Sequence, residues 1–89
     1  MRIAFLVRIN PFEPPIVALD AQIAEIKNNP NVMSAEKVVN DPWWNCRVVS
    51  KETRESKPDM SEQLRLCKEI REKFPAIHIQ DIYAILEAP

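Results

Sequence analysis

The chain contains no glycine. That excludes a Gly-rich phosphate loop and the dinucleotide-binding fingerprint, both of which need backbone without a Cβ close to the ligand. The usual residue for left-handed turns is missing too. Asparagine and aspartate are expected to serve instead, at Asn28-Asn29-Pro30-Asn31, at Asn40-Asp41 and at Asn45. Histidine occurs once, at His78, and cysteine twice, at Cys46 and Cys67. One imidazole and two distant thiols fall short of the four closely spaced ligands of a structural zinc site, so neither metal nor cofactor is expected. The cysteines have no CxxC spacing and read as free, partly buried thiols in a reducing, cytoplasmic setting. Net charge is close to zero, at −1. A domain that binds nucleic acid by charge is strongly basic, and this one is not. No apolar run approaches the roughly 20 residues that span a bilayer, so no membrane partner is expected. The apolar run at residues 3–7 is too short for a signal-peptide core, lacks a small-residue cleavage motif, and reads as a strand.

What is present suits a folded domain. The chain is 46% hydrophobic and 28% charged, which argues against disorder. At 89 residues, one small α+β domain spanning 1–89 is expected. Charge is spread evenly: residues 1–46 carry four basic and five acidic groups, and residues 47–73 carry eight and six. Eight prolines punctuate the chain.

Periodicity places the elements. Residues 2–9 alternate as a strand, with Ile3, Phe5, Val7 and Ile9 on one face and Arg2, Ala4, Leu6 and Arg8 on the other. Pro11-Phe12-Glu13-Pro14-Pro15 is a stiff loop, and Pro15 suits the first position of a helix over residues 16–28. Ile16, Leu19, Ile23 and Ile26 would form its inward stripe, and Pro30 ends it. Residues 32–39 read as a strand, although neither face is cleanly apolar. After the turn Asn40-Asp41-Pro42, a third strand runs from Trp43 or Trp44 to Ser50. A charged loop at residues 51–57 leads to a second helix. Asp59 is its N-cap, Glu62 completes a capping box, and Met60, Leu64, Cys67, Ile70 and Phe74 are its expected inward stripe. Residues 76–86 are ambiguous. A strand would set Asp81 among apolar groups, whereas Asp81 could instead cap a short helix.

The order strand, helix, strand, strand, helix, strand is that of the split βαβ, or ferredoxin-like, fold. Right-handed crossovers then give a four-stranded antiparallel sheet with two helices on one face. The alternative is a three-stranded sheet with a short C-terminal helix.

Both tryptophans stand side by side at Trp43-Trp44. On a strand they point to opposite faces, so one enters the core and the other does not. Trp44 is assigned to the core and Trp43 to the open face, near Leu6, Arg47 and Val49. Depending on register, Val39 or Ile82 adds to that patch, and the Phe12 loop is placed to fold over it. An exposed apolar face with a tryptophan anchor points to protein binding. The expected function is therefore a non-catalytic interaction domain, acting as inhibitor or adaptor. Its protein-binding residues are Trp43, Leu6, Val49, Arg47 and Phe12, and its partner is a second copy of itself or another protein. Single-stranded nucleic acid stacked on Trp43, with Arg2, Arg8, Arg47, Lys51 and Arg54 on phosphates, is the alternative on the same face. An enzyme reading rests on a cleft between two subunits, with Cys46 or Cys67 beside His78, or with Tyr83 as a donor.

Overall fold

The computed structural model describes residues 1–88. Its elements are β1 (Arg2–Ile9), α1 (Leu19–Lys27), β2 (Val32–Lys37), β3 (Cys46–Thr53), α2 (Met60–Lys73) and β4 (Ile79–Glu87). The strands form one sheet in the order β2-β3-β1-β4, and every neighbouring pair is antiparallel. This is the ferredoxin-like arrangement, and the three-stranded alternative is overturned. Residues 79–87 pair with β1 along its whole length instead of turning into a helix.

One core gathers both helices on one side of the sheet. Ile3, Phe5, Val7 and Ile9 of β1 meet Ile23 and Ile26 of α1, and Leu66 and Phe74 of α2. Cys46 and Val48 of β3 and Ile82 and Ala84 of β4 complete it. Helix α1 packs on β2, and α2 packs on β4. Among the described residues the opposite face of the sheet carries no helix.

Two bulges account for the ambiguous strands. In β2, Val32 lies opposite Ser50 and Ser34 opposite Val49, so two β2 steps match one β3 step. The alternation slips there, and Val32 and Ala35 both reach the core. In β4, Ile79 lies opposite Ile9 but Asp81 opposite Arg8, which leaves Gln80 as the extra residue. The slip puts Ile79 and Ile82 on the core side and turns Asp81, Tyr83 and Ile85 to the open face. Asp81 is therefore not an acid in an apolar row.

The helices begin and pack differently from expectation. Helix α1 starts at Leu19, not at residue 16, and no side chain caps it. Ile16 stands exposed before it, outside the stripe. Helix α2 has the expected cap, with the Asp59 carboxylate accepting from the Glu62 backbone N–H at 2.9 Å. Its inward stripe holds at Cys67, Ile70 and Phe74, which pack on the core, but not in the first turns. Leu66 is buried in the core, while Met60 is 81% and Leu64 70% exposed.

Among the described residues no backbone lies in the left-handed region, so asparagine and aspartate are not used for positive φ. They turn the chain through their side chains instead. Asn10 accepts from the Phe12 N–H, Asn29 from the Asn31 N–H, and Asp41 from the Trp43 N–H. Each is an Asx turn, which mimics a backbone turn at ordinary φ.

Candidate interaction surface at the aromatic end of the sheet

The tryptophan pair does not belong to a strand. Both residues lie in the β2–β3 connection, and β3 starts only at Cys46. The Asp41 carboxylate accepts from the Trp43 and Trp44 backbone N–H groups, each at 2.8 Å. Those two bonds favour the ionised form and hold the Asp41 pKa below its ordinary value. Because the pair sits in a turn, strand alternation does not divide it. Trp44 is half-buried and is not among the core residues, which corrects its assignment to the core. Trp43 is 51% exposed, on the open-face side as expected.

Trp43 is held although it is exposed. The Arg8 guanidinium lies over its ring at 4.1 Å from the centroid. The indole Nε1–H donates to the Asp81 carboxylate at 3.1 Å. Arg8 is itself oriented by the Gln80 side-chain oxygen at 3.1 Å and the Trp43 carbonyl at 3.4 Å. The bulge at Gln80 is what brings Asp81 to the same face as Arg8. A cation over an indole contributes about 0.5–1 kcal/mol at an exposed site. Its larger consequence here is that the ring is already placed before anything binds.

The Phe12 loop stands across from it. Phe12 is 81% exposed. The loop is anchored at several points. The Asn10 N–H donates to the His78 carbonyl at 2.9 Å, and His78 Nε2 lies 2.9 Å from the Pro15 carbonyl. Gln22 is buried at the start of α1, where it donates to the Val17 carbonyl and accepts from the His78 N–H. Phe12, Trp43 and Trp44 line one groove of about 290 Å³, together with Arg8, Asn45 and Gln80. Asn45 forms one wall by pairing with Ile9 as a strand residue would. Its amide accepts from the Ile9 N–H at 2.9 Å and donates to the Ile9 carbonyl at 2.8 Å.

The other expected contact residues fall into a different place. Leu6 and Arg47 face each other across β1 and β3 on the open face, and Val49 lies opposite Ala4. Arg47 reaches across β1 and forks onto the Glu87 carboxylate of β4, with Nε donating at 2.8 Å and Nη2 to the second oxygen. Val49 and Ala4, beside this ion pair in the register, are buried, and Leu6 is half-buried. The open face is thus closed over at its centre, not a continuous apolar patch. Ile82 faces the core, while Val39 is exposed beyond the end of β2. The structure brings together Trp43 and Phe12, but Leu6, Val49 and Arg47 are not among the residues lining their groove. Trp44 and Gln80 line it without having been expected there, and Arg8, expected beside Trp43 only as a phosphate contact, lines it too. The run Asp41-Pro42-Trp43-Trp44 held a signal for Trp44, since an aspartate followed by proline favours a turn over a strand.

The residues of the enzyme reading have other partners. Burial pushes the Cys46 thiol up to about 12. Burial also raises Cys67, whose Sγ–H donates to the Ile82 carbonyl. Two of the five phosphate contacts of the nucleic-acid reading, Arg47 and Arg54, are ion-paired. Arg8 and Arg47 are engaged as described, Arg54 pairs with Glu52 and Glu62, and Arg2 donates to the Lys51 carbonyl. Compared with protein-family models, with curated proteins and with solved structures, the chain matches none.

Proposed function

We propose that the chain is a non-catalytic protein-interaction domain whose contact surface is the aromatic end of the sheet. The observation that carries this reading is Trp43, half exposed yet fixed by Arg8 and Asp81, facing the same groove as an exposed Phe12. Tryptophan anchors of this kind dominate interface energy, and a pre-positioned ring loses little freedom on binding. The ion pairs of Arg47 with Glu87 and of Arg54 with Glu52 and Glu62 favour a protein over a nucleic-acid partner, because phosphate binding there would compete with carboxylates.

The first test is solution mass by light scattering across protein concentration, for wild type and Trp43→Ala. A wild-type dimer that becomes a folded monomer in the variant assigns the surface to a second copy. A wild-type monomer directs the search to a different protein, with Trp43→Ala and Phe12→Ala as controls. A partner retained by both folded variants overturns the reading. So does an oligonucleotide that binds with a steep salt dependence.

A further inference from the structure

The aromatic groove has a hydrogen-bonding pattern that restricts what fits it. Four side chains that line it carry oxygens: Asn10, Asp41, Asn45 and Gln80. Each already accepts a bond from the protein. Asn10 accepts from the Phe12 N–H at 2.9 Å, and Asp41 from the Trp43 and Trp44 N–H groups at 2.8 Å. Asn45 accepts from the Ile9 N–H at 2.9 Å, and Gln80 from the Arg8 Nε–H at 3.1 Å. Backbone and guanidinium N–H groups only donate, so these bonds fix which amide atom is the oxygen.

The donors are used differently. The Asn45 amide gives an N–H to the Ile9 carbonyl. Among the described residues, the amide nitrogens of Asn10 and Gln80 and the indole N–H of Trp44 donate to no protein group, and none of the three residues is buried. The groove thus keeps free donors while its side-chain acceptors are engaged, with one Asp41 oxygen left over. The two charged residues in its lining, Arg8 and Asp41, are of opposite sign.

That pattern selects among backbones. A segment laid here meets donors and needs carbonyls that are not already bonded. An α-helix has used its carbonyls within itself. A β-strand brings an N–H with each carbonyl and finds the side-chain oxygens taken. A polyproline II segment forms no internal hydrogen bonds, so its carbonyls are free, and its prolines have no N–H to satisfy. Such segments are held in grooves lined by aromatic side chains. Trp43, Trp44 and Phe12 are the aromatic walls here, and a lining with balanced charge suits an uncharged occupant.

We propose that the groove binds an uncharged, proline-rich segment of a partner protein in the polyproline II conformation. Its rings lie against Trp43, Trp44 and Phe12, and its carbonyls accept from Asn10, Gln80 and Trp44 Nε1. The proposal rests on the aromatic end being the contact surface, and names its occupant. The chain's own proline loop does not fill the groove of the same molecule, because Pro11 and Phe12 form its wall.

The test is a titration of the whole chain with a capped oligoproline, followed by the NMR shifts of the Trp44 indole N–H and of the Asn10 and Gln80 side-chain amides. Controls of equal length are a capped alanine-based helix and a capped valine–threonine peptide. Oligoproline is expected to saturate, to move all three signals together, and to bind more tightly than either control. Three variants remove a donor and little else. Asn10→Asp and Gln80→Glu keep the accepting oxygen, and Trp44→Phe keeps a ring. Each is expected to weaken binding about fivefold, and Trp43→Ala at least about tenfold. The proposal is overturned if oligoproline does not saturate, if either control binds as tightly, or if all three donor variants bind as wild type does. Its failure is separable from failure of the contact surface. A Trp43-dependent association, with a second copy or another protein, that oligoproline does not displace overturns the proposal and leaves the surface standing. Oligoproline binding that survives both Trp43→Ala and Phe12→Ala overturns both.

Discussion

Helix α2 has every local signal of a helix. It has a side-chain cap, an acid in its first turn, basic residues in its last and an Arg65–Glu69 pair at 2.8 Å. Helix α1 shares the first-turn acid, Asp20, and the last-turn base, Lys27, but it is only nine residues long and no side chain caps it. Yet α1 uses its apolar residues fully. Ile23 and Ile26 are in the core, Leu19 packs against it, and even the polar Gln22 is buried and hydrogen-bonded. Helix α2, with the stronger local signals, leaves Met60 and Leu64 outside. A helix this short is marginal alone, so α1 depends on what it buries. Helix α2 holds its shape by capping and charge, and has apolar surface to spare. The contrast suggests that α2 presents a surface while α1 closes the core.

The sharpest way to break this contrast lies within α2. Leu66→Ala removes a buried core side chain and is expected to cost about 2–5 kcal/mol in chemical denaturation. Leu64→Ala, two positions away, should stay within about 0.5 kcal/mol. Equal effects would mean that α2 packs by the Leu64 face after all. The next largest effect should fall on α1. Gln22→Ala leaves the His78 N–H without its acceptor in a buried place, at a cost of about 1–3 kcal/mol. It should also loosen the Phe12 loop, seen as faster amide exchange at residues 10–18. A smaller effect is expected at the cap, where Asp59→Ala should cost about 1 kcal/mol.

The fold was legible because its main signals are local. The period-2 run in β1, the Asp59 cap and the prolines that stop both helices need no knowledge of neighbours. What stayed hidden depends on pairing. The bulges at Met33 and Gln80 change which residues face the core, and nothing in the alternation of β2 or β4 alone announces the slip. The spacing of Met60 and Leu64 with Cys67, Ile70 and Phe74 predicts one α2 stripe, yet Leu66 makes an equally good i, i+4 pair with Ile70. Only the position of β4 decides between the two faces. The side-chain amides of Gln22, Asn45 and Gln63 look like solvent-facing polar residues in the sequence. In the fold each stands where a backbone partner would, at His78, Ile9 and Ala84. The candidate surface was half legible for the same reason. The Trp43 and Phe12 exposures follow from turn chemistry, whereas the closing of the Leu6–Val49 face depends on a contact between Arg47 and Glu87, 40 residues apart.

The two cysteines allow the two halves of the molecule to be read separately. Cys46 lies in β3, opposite Lys37 of the strand on which α1 packs, and Cys67 lies on α2. Cys46 is wholly buried and its pKa is pushed from 9.0 up to about 12, while Cys67 is half-buried and also raised. In the native protein Cys67 is therefore expected to react with a thiol reagent well before Cys46, whose labelling should wait for unfolding. The stability consequence has a definite sign. A thiol raised by folding keeps its proton while the unfolded chain has lost it, so above pH 9 the folded state binds more protons. Stability from this source is complete below pH 9 and is lost as pH rises toward 12. Denaturation midpoints should be flat with pH in the neutral range and then fall, and Cys46→Ala should flatten that fall. If the fall persists unchanged in Cys46→Ala, its source is not this thiol. If both thiols label at one rate in the native protein, the α1 side opens as readily as the α2 side. The contrast between a core-closing helix and a surface-presenting one would then not hold.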